Sequence, residues 1–204
     1  KVHTENPPAG DGGRVYRSHG GGGAPHRKGV DPRRILQFLP LPQPAENTTL
    51  QLCEYRLPVN PRLAGIKHLN RLDQVLAAAE LPTQVEGLLL DNAGRVVEVL
   101  QGNIFVWIED QWYTPPLEYA GVEGVMRNLL LENILPKIPQ AARIAELTLD
   151  DLRRAEAAFS CNAVRGVTRL EALHIGGEVW SFPAARQVAE VHQALVEEYP
   201  CFAD

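Results

Sequence analysis

Long apolar runs are missing from this sequence: none approaches the ~20 residues that a bilayer-spanning helix needs, so no membrane segment is expected. The opening residues Lys1-Val2-His3-Thr4-Glu5-Asn6 have no apolar core behind them of the kind a secretory signal carries. There is no initiator methionine either; the chain opens as if in mid-strand, which predicts a processed or fragmentary product. Cysteine is scarce. Cys53, Cys161 and Cys201 are odd in number, far apart and never in a CxxC pair, which argues against a disulfide framework or zinc site and fits reduced thiols in a cytoplasmic protein. The six histidines show no HExxH or HxH spacing, so no metal site is expected. With 20 basic against 25 acidic residues and no basic block, the chain lacks the cationic stripe that nucleic acid requires. An anionic small molecule needs only a local pocket and stays open.

What the chain does have is the ordinary apolar content of a soluble globular protein, over a length that suits one large domain or a domain and part of another. Residues 7–32 are rich in Gly, Pro, Arg and His. They contain Gly12-Gly13-Arg14-Val15-Tyr16 and Gly20 to Gly23 but no GxxxxGK[ST], and a mobile loop is expected. Arg33 to Leu39 suits a short strand. Pro40, Pro42 and Pro44 then stiffen the chain as a linker would, placing a boundary between residues 1–40 and 41–204. Thr49 to Arg56 alternates as a strand with one core face. From Leu69 to Leu81 the apolar residues Leu69, Leu72, Val75, Leu76 and Ala79 step by three and four, predicting a helix that Pro82 stops. Strands are predicted over Glu86–Asp91, Val96–Leu100 and Asn103–Ile108, the first two joined by a hairpin turn at Asn92-Ala93-Gly94. A turn at Glu109-Asp110-Gln111 leads into Trp112-Tyr113-Thr114. A helix follows over Gly124–Leu135. Thr148 and Asp151 form a capping-box pair at the next helix start. Strands over Ala157–Cys161, Val167–Leu173 and Glu178–Trp180 precede a terminal helix over Phe182–Tyr199. This mixture predicts an α+β fold on mainly antiparallel sheet.

Four stretches could carry chemistry. In Ala64-Gly65-Ile66-Lys67-His68-Leu69-Asn70-Arg71-Leu72 a lysine stands between a small, apolar approach and a helical run. There it could be partly desolvated, which lowers the pKa of an imine-forming amine; a solvated lysine at a helix start is the other reading. Glu98 ends a strand and heads the pattern Glu98-Val99-Leu100-Gln101-Gly102-Asn103-Ile104-Phe105; taken singly it could be a surface residue of an edge strand. In Gly121-Val122-Glu123-Gly124-Val125-Met126-Arg127, glycines before a helix let backbone N–H groups approach an anion, although a capped core helix has the same spacing. Asn162-Ala163 marks the turn after a strand, where asparagine also serves purely local needs.

Together these stretches resemble the fold-type IV pyridoxal-phosphate enzymes of the class IV aminotransferase family. Asn60-Pro61-Arg62-Leu63-Ala64-Gly65-Ile66-Lys67-His68-Leu69-Asn70-Arg71-Leu72 is most similar to the 4-amino-4-deoxychorismate lyase branch. The resemblance covers residues 33–204. It implies mainly the C-terminal cofactor-binding domain of that fold, with residues 1–40 a remnant of the N-terminal α/β domain. It also implies that Lys67 holds pyridoxal 5'-phosphate covalently and moves the proton. Glu98 would meet the ring nitrogen, where a carboxylate keeps the ring protonated and electron-accepting. The amides of Val125 and Met126, with the turn at Asn162 and Ala163, would hold the phosphate. Arg71 stands where many relatives have a tyrosine near the cofactor hydroxyl; it would touch cofactor or substrate carboxylate, or be a solvated helix arginine. Thr114-Pro115-Pro116-Leu117 matches a family element taken as structural, and His68 is expected to point away along the helix. Val15 stands where the lyases have glycine. The implied reaction converts 4-amino-4-deoxychorismate to 4-aminobenzoate and pyruvate in a cytoplasmic homodimer. A branched-chain or D-amino acid aminotransferase and a truncated, catalytically silent interaction domain are the alternatives.

Overall fold

The computed structural model describes residues 11–19, 32–40, 48–82, 85–139 and 141–203. The chain divides into two compact units, Lys1–Gln43 and Pro44–Asp204. In the first, β1 (Asp11–His19) pairs antiparallel with β2 (Pro32–Pro40), Asp11 opposite Pro40 and His19 opposite Pro32. The loop expected over 7–32 is therefore corrected in part, since Gly12-Gly13-Arg14-Val15-Tyr16 runs inside a strand. Strand pairing uses backbone N–H and C=O groups, which glycine supplies as well as any residue, and the facing segment contains strand-favouring Ile35 and Phe38. The rest of that stretch lies outside the described residues.

The second unit is built on one sheet. Its strands are β3 (Thr48–Leu57), β4 (Glu86–Asp91), β5 (Val96–Val99), β6 (Asn103–Ile108), β7 (Gln111–Thr114), β8 (Arg143–Ile144), β9 (Ala157–Asn162), β10 (Gly166–Ile175) and β11 (Glu178–Ser181). The order is β5-β4-β3-β10-β9-β6-β7-β8, with β11 on β10. Five of the eight pairings are antiparallel, and three are parallel: β3 with β10, β3 with β4, and β7 with β8. Although β5 and β6 lie far apart in that order, a two-residue turn joins them and a Val99–Gly102 bridge, with Val99 N–H donating to Gly102 C=O at 2.9 Å, draws the sheet round onto itself. Gly102 is required at this closure, because a Cβ would stand 2.4 Å from the Cys161 carbonyl oxygen.

Strand alternation sorts the core. Ile104, Val106 and Ile108 of β6 point inside the curl with Leu88, Leu90, Leu50, Leu170 and Leu173. Phe105 and Trp107 of the same strand point outside, where they pack with Phe159 and Trp112 beneath two helical segments. One is α2 (Val125–Leu129), which runs on as a π-helical turn Leu130–Ile134 and a 3-10 turn Leu135–Lys137. The other is the terminal helix (Ala185–Glu198), contributing Val188, Val191 and Leu195. The helix expected over Gly124–Leu135 is thus regular only in its first turns. The terminal helix starts at Ala185 rather than Phe182, because Phe182 is committed to the inner core and Pro183 lacks an N–H. A short helix at Leu149–Arg154 carries the expected Thr148–Asp151 capping box.

The helix expected over Leu69–Leu81 is shorter, α1 (Leu72–Ala78), and its apolar stripe faces outward: Leu69, Leu72, Val75 and Leu76 are exposed and only Ala77 is buried. Polar ties set this orientation. The Glu80 carboxylate accepts the N–H groups of Glu54 (2.6 Å) and Tyr55 (2.9 Å), and Tyr55 Oη donates to Asp73 at 2.5 Å. Those amides are free because the β3–β4 register shifts between Leu52 and Arg56. Among the described residues no helix is long and apolar enough to cross a membrane.

Candidate active site

The site is assembled on the outer side of the curl, where β5, the loop before α1 and the segment before α2 meet. Glu98 reaches it by a break in the strand pattern. In the β4–β5 ladder Leu90 faces Val96 and Leu89 faces Glu98, so Val97 is an extra residue. Strict alternation would turn Glu98 inward with Val96. The bulge instead places both Val97 and Glu98 on the outer side with Leu89. Glu98 is 3 % exposed, buried rather than on a surface edge.

One residue gathers the rest. Val122 N–H donates to Glu98 Oε2 at 2.8 Å, and Val122 C=O accepts from Asn103 Nδ2 at 2.8 Å. Its neighbours hold the lysine loop: Gly65 N–H donates to Gly121 C=O (3.0 Å), Glu123 N–H to Gly65 C=O (3.0 Å), and Asn60 N–H to Tyr119 C=O (2.8 Å). Gly65 and Gly121 sit at φ +78° and +86°, which suits glycine, and a Cβ on Gly121 would collide with Val97 and Leu117. Gly124 is excluded from bearing a side chain by Asn103 Oδ1, 2.2 Å from where its Cβ would be. The lysine loop, Glu98 and the start of α2 are thereby locked to four consecutive residues, Gly121 to Gly124.

Burial pushes the Glu98 carboxyl up to about 7, against the pull of the Val122 amide, the Arg71 charge, the Gln74 amide and the Lys67 charge. Lys67 and Arg71 are therefore near enough to Glu98 for their charges to act on its carboxyl. Lys67 is exposed rather than partly desolvated as expected, because it precedes α1 in a loop that nothing in the described residues covers. His68 is in the same loop, not on the helix, with a buried Nδ1 that has no partner. Asn162 serves its own turn: its Oδ1 accepts from Val164 and Arg165 N–H (2.9 Å each) and its Nδ2 donates to Gln101 C=O (3.1 Å). What its turn and the exposed Ala163 leave for a ligand is backbone. Met126 and Cys161, the residue before that turn, belong to the same core group.

Two features show what the site lacks among the described residues. Glu98 Oε1 is buried without a hydrogen-bond partner. No side chain caps α2, leaving its first amides, those of Val125 and Met126, to an outside acceptor. A buried acceptor at one end and free amide donors at the other fit a protonated heterocycle carrying a phosphate. Sequence reasoning missed Gln74, which carries no pattern, and gave no role to Asn103 or Arg127. Both had a signal: Asn103 opens an otherwise wholly apolar strand, and Arg127 is a cation on the buried side of α2.

The amino-transferase class IV family model matches residues 7–173. The aminodeoxychorismate lyase of Vibrio harveyi is 36% identical over 140 residues, which cover 67% of this chain and 51% of that protein. The crystal structure of 4-amino-4-deoxychorismate lyase from Pseudomonas aeruginosa superposes with a TM-score of 0.79 at 35% identity, covering 91% of this chain and 69% of that one. At 17% identity, a hypothetical aminotransferase from Mycobacterium tuberculosis in its PLP-bound form shares the fold, with a TM-score of 0.72 over 92% of this chain and 69% of the other. The chain spans about half the length of the curated relatives it matches. By its sequence over most of its length and by its curled, mainly antiparallel sheet, the chain belongs to the class IV aminotransferase family.

Proposed function

We propose that this chain carries the cofactor site of a pyridoxal-phosphate lyase that converts 4-amino-4-deoxychorismate to 4-aminobenzoate and pyruvate. The observation that carries the cofactor assignment is the orphaned, buried Glu98 Oε1, with the Lys67 charge near enough to act on that carboxyl. The lyase assignment is supported by the two lyases that resemble the chain at 35% and 36% identity. When bound, the cofactor ring would withdraw electrons from the carbon bearing the substrate nitrogen.

The chain's residues divide the remaining work. Glu98 keeps a proton on the ring nitrogen through Oε1, while Val122 N–H fixes its other oxygen. Val125 and Met126 amides, with the turn at Asn162 and Ala163, receive the phosphate. Lys67 would hold the cofactor through its Nζ and would take the proton from the substrate carbon that carries nitrogen. Breaking the neighbouring C–O bond releases the enolpyruvyl group as an enolate, which takes up a proton at carbon to become pyruvate, and the ring left behind is aromatic. Arg71, half-buried and near enough to Glu98 for its charge to act there, would serve the substrate carboxylate or the cofactor hydroxyl.

The test is a visible spectrum of the chain mixed with pyridoxal 5'-phosphate, before and after borohydride, followed by peptide mapping. A reduced adduct on Lys67, absent from Lys67→Ala, is expected. Because Lys67 is exposed, the variant's stability should stay within about 0.5 kcal/mol of the parent. Pyruvate released from 4-amino-4-deoxychorismate identifies the lyase. Amino-group transfer from a branched-chain or D-amino acid identifies the aminotransferase reading, and no adduct at all leaves the silent domain.

A further inference from the structure

Arg127 is 4 % exposed and therefore brings a permanent cation into the core. Such a charge is costly unless it is matched. Its guanidinium donates to neutral acceptors only: Nη2 to Pro115 C=O at 2.9 Å and Nη1 to Asn128 Oδ1 at 3.4 Å; Nε has no partner. No carboxylate among the described residues pairs with it within ion-pair distance. Neither of the two acidic groups nearest in charge forms an ion pair with it. Glu123 is exposed and already accepts from Asn128, and Cys161, pushed up to about 12 by burial, stays a neutral thiol.

The position of this unmatched charge is specific. Arg127 follows Val125 and Met126 directly, and its Cβ is 3.9 Å from the point a Cβ on Gly124 would occupy. Its charge is also close enough to act on Cys161, next to Asn162. Arg127 is thus near both backbone segments offered to the phosphate. The regular helix behind those amides is only five residues long before it turns π-helical, so its dipole alone is a weak source of field.

We infer that Arg127 is the buried counter-charge for the cofactor phosphate, a positioning residue that acts through the field at the Gly124–Met126 amides without touching the phosphate. This rests on the pyridoxal-phosphate reading above. It predicts that Arg127 matters for the phosphate and not for the ring.

The experiment compares binding of pyridoxal 5'-phosphate and of pyridoxal, which lacks the phosphate, to the parent chain, Arg127→Met and Arg127→Lys. Inorganic phosphate serves as a competitor. In Arg127→Met, affinity for pyridoxal 5'-phosphate should fall on the order of tenfold to a hundredfold, as removal of a nearby buried charge implies. Pyridoxal affinity should change by no more than about twofold on the same ground, since pyridoxal carries no anion for that charge to attract. Arg127→Lys should restore most of the preference for the phosphorylated form, and inorganic phosphate should compete less well with Arg127→Met than with the parent. Parallel loss of both ligands in Arg127→Met, unrescued by lysine, would show a purely structural arginine and overturn the inference, as would an unchanged preference. If the parent binds neither ligand, the functional reading itself fails and takes this inference with it.

Discussion

A carboxylate buried as fully as Glu98, with one backbone N–H donor, is unstable as an anion, and it responds by holding its proton up to about 7. The sign follows. Its ordinary value is 4.5 and its folded value is raised, so its contribution to stability is complete below 4.5 and is lost as pH rises through 7. For the cofactor-free chain that contribution amounts to about 3 kcal/mol. Urea unfolding should show the parent losing about that much between pH 4.5 and 7.5, and Glu98→Gln should remove most of the loss. Glu86, also raised by burial, supplies a remainder that persists in the variant. At this scale much was legible. Lys67, Arg71 and Glu98 could be picked out because their spacing matched a family pattern, and the structure brings their charges together. The surroundings of Lys67 were not legible, because sequence gives the neighbours along the chain and not what covers a loop.

Elements show where patterning succeeds and where it stops. Strands β4, β6 and β9 could be found from apolar runs bounded by turns. The bulge at Val97 could not, because Val96-Val97-Glu98-Val99 fits either face until the partner strand is known. The stripe on α1 misled for the same reason: periodicity predicts a helix with one apolar side but not which side the sheet receives, and here Glu80 and Asp73 decide it. The segment from Gly121 to Gly124 works by contact so close that glycine is obligatory. Gly124→Ala should cost about 1–3 kcal/mol in chemical denaturation, as overpacking does. It should also weaken pyridoxal 5'-phosphate binding, since the added methyl pushes Asn103 and, through it, the Val122 carbonyl. Normal stability with full affinity in that variant would contradict the tight approach.

For the molecule as a whole, the three groups of buried apolar residues found among the described residues all fall within Pro44–Asp204. A polypeptide of those residues should therefore unfold cooperatively on its own, as calorimetry would show. Closure of the sheet between Val99 and Gly102 gives this unit its rigidity, and the bond from Val122 N–H to Glu98 is fixed within that frame. That amide proton consequently acts as a resident gauge. Its magnetic resonance frequency must follow whether the carboxylate is charged, so a single backbone signal reports, from inside the protein and without any label, the ionisation that the ring nitrogen would meet.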